Sequence, residues 1–307
     1  MATNTYAALT NEQKTFYDRV LLERLTPNLV YAKYGETKNI PEHEGKKINF
    51  RRFNSYEAAT TPLTEGVTPT GKSISVSKVE CELNQYGDFT ETSDVISMAG
   101  IDPIVTEVSE LHGEQAADTL DQIVRDAVCA GTNVLYATGS ATSAVGASNV
   151  MTSTLIKKAV RALRRANAKK YDANGFIGIV HPDVAYDIMN DPLWEDVSKY
   201  NGGKAILNGE IGRLAGVRFV ESTNAKIKEG EGASSADVYC TMIIGKNAYG
   251  IPDIAGSKKT KVIVKGLGSA GTADPLDQRA TVGWKSLFGV VRLDELSMIR
   301  VETGATA

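Results

Sequence analysis

Lys47-Ile48-Asn49-Phe50-Arg51 alternates apolar and polar residues, as a half-buried strand does. A second alternating run answers it, with Ile74 and Val76 followed by Val79, Cys81 and Leu83. Between them lies Thr60-Thr61-Pro62-Leu63-Thr64-Glu65-Gly66-Val67-Thr68-Pro69-Thr70-Gly71, a turn-rich tip with almost nothing to bury. The whole excursion, residues 46–86, reads as a long β-ribbon without a core of its own. A two-stranded ribbon alone in water is marginal. It needs another surface to lie on, and a sister copy supplies one if its own chain does not. The apolar positions of the descending run shift from even to odd near Ser77-Lys78. A β-bulge that inserts one residue there accounts for the shift, and so do two separate short strands.

Working outward, the clearest helix follows the ribbon. Asp102 is a good N-cap and Pro103 suits the first helical position. Ile104, Val108, Leu111, Ala116, Leu120, Ile123, Val124 and Ala127 recur at helical spacing, and Gly131 is placed to stop the run. Roughly 28 residues at ~1.5 Å each give a rod of about 40 Å. Its expected outer face carries Glu107, Glu110, Glu114, Asp118 and Asp121 at successive i+3 and i+4 steps. Like charges at that spacing are mutually unfavourable. One reading is a solvated face; the other is a stripe that faces a polyanion and keeps it from sticking.

Before the ribbon, residues 1–45 read as an arm, with a short helix capped at Thr10 or Asn11, carrying Phe16, Val20, Leu21 and Leu25 and ending at Pro27. Beyond the long helix, residues 131–150 are rich in small residues and read as a loop with room for one short strand. Thr152 then caps a helix whose buried side is Leu155, Ile156, Ala159, Val160 and Leu163. Its other side and the residues after it are basic: Lys157, Lys158, Arg161, Arg164, Arg165, Lys169 and Lys170. Strand-like runs at Phe176–Val180, Val217–Val220 and Val238–Ile244 alternate with helical turns, including one opened by His181-Pro182-Asp183 and a segment from Ile206 to Leu214. Residues 151–255 therefore read as an α/β unit with a central sheet. Lys261–Val264, Val282–Val291 and Ser297–Val301 are further strands, expected to complete the sheet beside the long helix.

Composition sets bounds. The chain has 307 residues, 42% of them hydrophobic and 23% charged, with a net charge of −3, as folded globular proteins do. That charge gives no overall reason to seek a nucleic-acid partner. No apolar run approaches the ~20 residues needed to cross a membrane. The first residues lack the basic and apolar regions of a signal peptide, so the chain is expected to be made and kept in a cytosol. Cys81, Cys129 and Cys240 have neither disulfide-framework nor zinc spacing and read as reduced and buried.

Chemistry-bearing motifs are few. Gly266-Leu267-Gly268-Ser269-Ala270-Gly271 matches the dinucleotide fingerprint, but Thr272-Ala273-Asp274-Pro275 follows where a helix is required; a connector is the simpler reading. His43, His112 and His181 are scattered without metal-ligand spacing, and the strand-to-helix turn explains His181 beside Asp183. No catalytic residue, cofactor or metal site is assigned.

The order of these segments resembles the major capsid proteins of tailed phages, whose fold takes its name from phage Hong Kong ninety-seven. It is similar in particular to the branch typified by phage N-four. The residues behind the resemblance are Thr61-Pro62-Leu63-Thr64-Glu65-Gly66 with Pro69, Ile179-Val180-His181-Pro182-Asp183, Gly212-Arg213-Leu214-Ala215-Gly216-Val217-Arg218, and the ending from Gly283-Trp284-Lys285 to Val301. The resemblance implies an α+β fold with an N-terminal arm (1–45), an extended β-hairpin loop (46–86), a peripheral domain with a long spine helix and antiparallel sheet (87–150 and 256–307), and an inserted α/β axial domain (151–255). It implies pentamers and hexamers that tile an icosahedral shell around double-stranded DNA held without sequence specificity. Pro62, Leu63, Glu65, Val67 and Pro69 would lie over an adjacent subunit, and the acidic stripe would face the interior. A separate scaffold protein, a portal and a decoration protein are the further partners expected. Two rival readings remain open: an encapsulin-type compartment shell of the same layout, and a nucleotide-binding α/β enzyme.

Overall fold

The computed structural model describes residues 29–40, 46–53, 56–95, 104–172, 175–194, 212–254, 260–269 and 274–306. The helix expected between Thr10 and Pro27, the Asp102-Pro103 cap, His43 and Ile206 lie outside them. In chain order the elements are β1 (Glu36–Ile40), β2 (Lys47–Phe53), β3 (Val76–Glu82), β4 (Asn84–Ser93), α1 (Ile104–Cys129), β5 (Val134–Tyr136), α2 (Ser153–Arg165), β6 (Phe176–Val180) and α3 (Pro182–Met189). There follow β7 (Gly212–Leu214), β8 (Val217–Glu221), β9 (Ile227–Lys228), β10 (Val238–Ile244), β11 (Tyr249–Ile254), β12 (Thr260–Lys265), β13 (Arg279–Phe288), β14 (Val291–Arg292) and β15 (Met298–Thr303).

The continuous apolar runs at β6 and β10 form the centre of a seven-stranded mixed sheet, ordered β5-β15-β10-β6-β8-β7 with β9 also on β10. Their composition follows from burial on both faces, because successive side chains point to opposite sides. Phe176, Val180, Ile243, Ile299 and Val301 meet α2 and α3 on one side. Ile177, Ile179, Met242, Ile244 and Met298 meet Leu120, Val124 and Val128 of α1 on the other. The expected apolar side of α2 is the one that is buried, and Thr152 caps the helix by accepting the Leu155 N–H at 3.3 Å. Between β6 and α3, His181 Nδ1 accepts the Asp183 N–H at 3.3 Å.

A second sheet, β12-β13-β4, lies along the N-terminal half of α1. Trp284, Val262 and Tyr86 pack there against Ala116 and Ala117, whose small side chains let the helix come close. A hydrogen-bond network running from buried His112 out to the surface fixes this contact. His112 bonds Thr90 and Gln115, both at 3.1 Å, while Gln115 accepts the Trp284 indole N–H at 3.0 Å and donates to Asp88 at 2.7 Å. Nothing in the spacing of His112 or Gln115 announces this role.

Three expectations need correction. The last strand, β15, does not join β12 and β13: it pairs antiparallel with β10 and parallel with β5 in the central sheet, where its Met298 still packs against α1. Residues 84–86 belong to β4, paired with β13, and not to the ribbon. Leu111 is 60% exposed although it falls on the helical apolar pattern. The three cysteines are buried, and burial alone pushes the Cys81 thiol up to about 11. Among the described residues no helix is long and apolar enough to cross a membrane.

Candidate assembly surface

The ribbon's arms pair one to one from Lys47↔Glu82 to Phe53↔Val76, with no inserted residue. The shift of phase near Ser77 is therefore a change of face and not a bulge. Ile48, Phe50, Val79 and Cys81 share the inner face; Phe53 and Val76 share the outer one. The inner residues, with Leu83, pack on Leu287, Val291 and Leu293 of the same chain. The base of the ribbon thus has a core, contrary to the expectation of none. Phe50 lies so close to the β11 backbone that a Cβ on Gly250 would come within 2.7 Å of its ring. Arg52 reaches Asp294 at 3.1 Å, adding an ion pair at the base.

The tip is different. Residues 56–75 form no strand, and all of them are exposed. The Val67 N–H donates to the Thr64 carbonyl at 3.2 Å, closing a tight turn with Glu65 and Gly66 at its centre. Gly66 has φ +77°, the left-handed conformation that glycine adopts without strain at this turn position. Leu63 is 78% exposed and Val67 63% exposed, on either side of Glu65. Pro62 and Pro69 bracket the turn, and both are exposed. All five tip residues singled out from sequence therefore stand in solvent in the single chain.

The acidic stripe on α1 divides. Glu107 and Asp118 are exposed, while Glu110 and Glu114 are half-buried. Asp121 is a correction: it is fully buried. Its carboxylate accepts the main-chain N–H groups of Tyr31 at 2.7 Å and Ala32 at 3.2 Å. Tyr249 closes the same site by donating its hydroxyl to the Tyr31 carbonyl. Burial raises the Asp121 carboxyl above the usual range, although the Ala32 and Tyr31 N–H groups oppose this. Asp121 holds the chain entering the fold; a helical period places it beside the exposed acids but says nothing of the segment that covers it.

The cations of α2 and its C-terminal extension, Lys157 to Lys170, are exposed. They lie on the side of the central sheet opposite α1, so the subunit has one acidic and one basic helical surface. Gly266–Ser269, the described part of the glycine-rich motif, turns from β12 towards β13. His181 and Asp183 sit 3.1 Å apart, and Asp183 also accepts the Tyr239 hydroxyl at 2.8 Å. Among the described residues no group of three or more His, Cys, Asp or Glu side chains has a metal-binding arrangement.

A ribbon anchored at its base and bare at its tip, a helix spanning the subunit and a two-faced central sheet define a shell-building subunit. The chain belongs to the phage capsid protein family, whose pattern it matches over residues 78–301. It is a phage capsid protein, a structural component of the virion shell. Solved structures agree in fold. The capsid of cyanophage Pam1 superimposes with TM-score 0.70 at 13% identity, covering 99% of this chain and 94% of that one. The capsid of cyanophage P-SCSP1u gives 0.69 at 16% identity, covering 91% and 89%. The virus-like particle from Pyrococcus furiosus gives 0.54 at 12% identity, covering 94% and 99%. No curated protein sequence matches the chain.

Proposed function

We propose that this subunit assembles as pentamers and hexamers around double-stranded DNA, and that the ribbon tip lies over an adjacent copy to lock each capsomer. The observation that carries the reading is the contrast within the ribbon: its base packs on Leu287, Val291 and Leu293, while Leu63 and Val67 stand bare in solvent. Apolar groups presented in this way on a monomer mark a contact surface. The contact is heterologous, one surface on another, and closes into rings when the rotation permits.

The remaining acids of α1, Glu107, Glu110, Glu114 and Asp118, face the packaged polyanion in this reading, and the basic surface of α2 faces away from it. The arm (1–45), loop (46–86), peripheral (87–150 and 256–307) and axial (151–255) divisions serve as working boundaries; β15 crosses from the third to the fourth. A scaffold protein, a portal and a decoration protein complete the set of partners, and the subunit itself catalyses nothing. The resemblance to phage N-four capsids supports the same arrangement.

Deleting residues 55–71 tests the loop's role. The expected product is a folded, soluble subunit that forms no shells by electron microscopy and light scattering. Normal particles from that deletion refute the role.

A further inference from the structure

The central sheet carries opposite charges at its two ends. β6 and β8 run parallel from Phe176↔Val217 to Val180↔Glu221, and β10 runs against β6. One end therefore holds the starts of β6 and β8 and the finish of β10. The Lys246 N–H donates to the Lys169 carbonyl at 2.9 Å, and a Cβ on Gly216 would lie 3.5 Å from Arg164 Nη2. These contacts bring the exit of α2 and the β7-β8 turn to the same end. Arg164, Arg165, Lys169, Lys170, Arg213 and Lys246 stand exposed there, and none has an acidic partner among the described residues. Arg213 sits directly opposite Arg218 across the β7-β8 hairpin, and the Arg218 Nε is buried without a hydrogen bond. Like charges so placed are unfavourable, and a carboxylate, whose two oxygens match the guanidinium fork, relieves them.

At the other end β8 finishes at Glu221, and the turn from β9 to β10 carries Glu229, Glu231 and Asp237; all four are exposed. The cations beside them are engaged within the chain. Lys226 holds Asp126 at 2.8 Å, and Lys228 holds buried Glu302 at 2.9 Å with Glu231 further off at 3.7 Å. Glu221 and Glu229 have no cationic partner among the described residues. The seven residues of β10 separate the two ends by about 23 Å at ~3.3 Å per residue. That is nearly three Debye lengths at physiological salt, where one is ~8 Å. Neither end neutralises the other within one chain, although the chain as a whole is close to balance at −3.

We infer that the basic end of each subunit binds the acidic end of the next copy in the capsomer ring, with the neighbour's Glu229 seated on the Arg213–Arg218 pair. Every copy carries both surfaces, and the two differ, so the contact is heterologous and propagates head to tail. The same chain supplies the carboxylates that these cations lack, whereas its net charge of −3 gives no drive towards nucleic acid. The inference rests on the pentamers and hexamers proposed above and assigns the charged surfaces through which they form.

Exchanging the charges of the full chain tests it. One variant reverses the basic end with Arg165→Glu, Lys169→Glu, Lys170→Glu, Arg213→Glu and Lys246→Glu. The other reverses the acidic end with Glu221→Lys, Glu229→Lys and Glu231→Lys, and keeps Asp237, which accepts the Gly230 N–H at 2.8 Å. Each alone is expected to cut shell yield at least tenfold by light scattering and electron microscopy, with far-ultraviolet circular dichroism unchanged. The chain with both sets of changes has its ends swapped and is expected to regain shells. A mixture of the two variants pairs only in alternation, which a six-membered ring permits and a five-membered ring forbids. It is expected to give hexamers and open sheets but no closed shells. Normal shells from each variant alone, or no recovery in the swapped chain, overturn the contact and leave the capsomer reading standing. If a reversed variant fails to fold, Arg213→Gln and Glu229→Gln decide: each is expected to lower the yield severalfold, and the pair together no further. Losses that multiply in the pair overturn the contact. A basic-end variant that assembles normally but sheds DNA overturns it too, and gives that end to nucleic acid. A wild-type chain that forms no rings at any ionic strength would overturn the underlying reading instead.

Discussion

Replacing Asp121 with alanine separates the two roles that its place on α1 permits. The buried carboxylate accepts two main-chain N–H groups, from Tyr31 at 2.7 Å and Ala32 at 3.2 Å. An orphaned buried donor costs about 1–3 kcal/mol. The Tyr31 N–H is fully buried and bears that cost in full; the Ala32 N–H is part-buried and bears less. Asp121→Ala is therefore expected to destabilise the subunit by about 2–4 kcal/mol, whereas an exposed acid such as Asp118 should change stability by no more than ~0.5 kcal/mol when truncated. Urea unfolding of dissociated subunits, followed by the fluorescence of buried Trp284, reads the difference. With a slope near ~3 kcal/mol per molar the midpoint falls by roughly 1 M. Hydrogen exchange at residues 29–34 should rise with it. Asp121→Asn keeps an acceptor oxygen and is expected to retain most of the stability. Its pH dependence has a definite sign. Burial raises the carboxyl in the folded state, so the stability this group contributes is full below its unfolded value of ~3.9 and is lost as pH rises through the folded value. The wild type should therefore lose ground to Asp121→Asn as pH rises above about 4. Equal, small effects of alanine at 118 and 121, or a gap that moves the other way with pH, would refute the anchoring role.

Two further outcomes are expected. Glu302 is fully buried, with Lys228 at 2.9 Å, Arg300 at 2.7 Å and the Thr142 hydroxyl at 2.7 Å; Glu302→Gln removes the charge these cations share, leaving Lys228 only Glu231 at 3.7 Å and Arg300 only main-chain carbonyls, and should cost about 3 kcal/mol by thermal or urea melts. Burial works against its ionisation, but the Thr142 and Lys228 hydrogen bonds and the Arg300 and Lys228 charges bring the carboxyl below the usual range. The ionised cluster thus stabilises above about pH 4.3 and fails as pH falls through the lower folded value, a loss that the Gln variant should not show. Changing Glu107, Glu110, Glu114 and Asp118 together to their amides should raise DNA retention on opened particles at low salt, measured by co-sedimentation. Retention equal to wild type would remove the acidic surface from the interior.

Part of the fold was legible in the chain, although β1, β4 and β11 were not. Apolar runs at 176–180 and 238–244 make sense only as strands covered on both faces, and α2 is legible from Thr152 and five apolar residues at helical spacing. The ribbon's tip was equally plain, because a turn-rich stretch with two isolated large apolar groups has nothing local to bury against. The resemblance to tailed-phage capsids rested on the order of these parts, which the chain carries in full. Tertiary structure decided the partners. Whether Asp121 meets water or the Tyr31 backbone depends on a segment ninety residues away. Whether Ser297–Val301 joins β13 or enters the central sheet depends on pairing with β10 and β5, whose edges a local pattern does not rank. The phase change at Ser77 shows the same limit: periodicity marks which residues share a face, and only the packed fold tells which face is covered. The physical reason is one of range. Propensity and alternation act within a few residues, whereas burial is settled between elements distant in the chain.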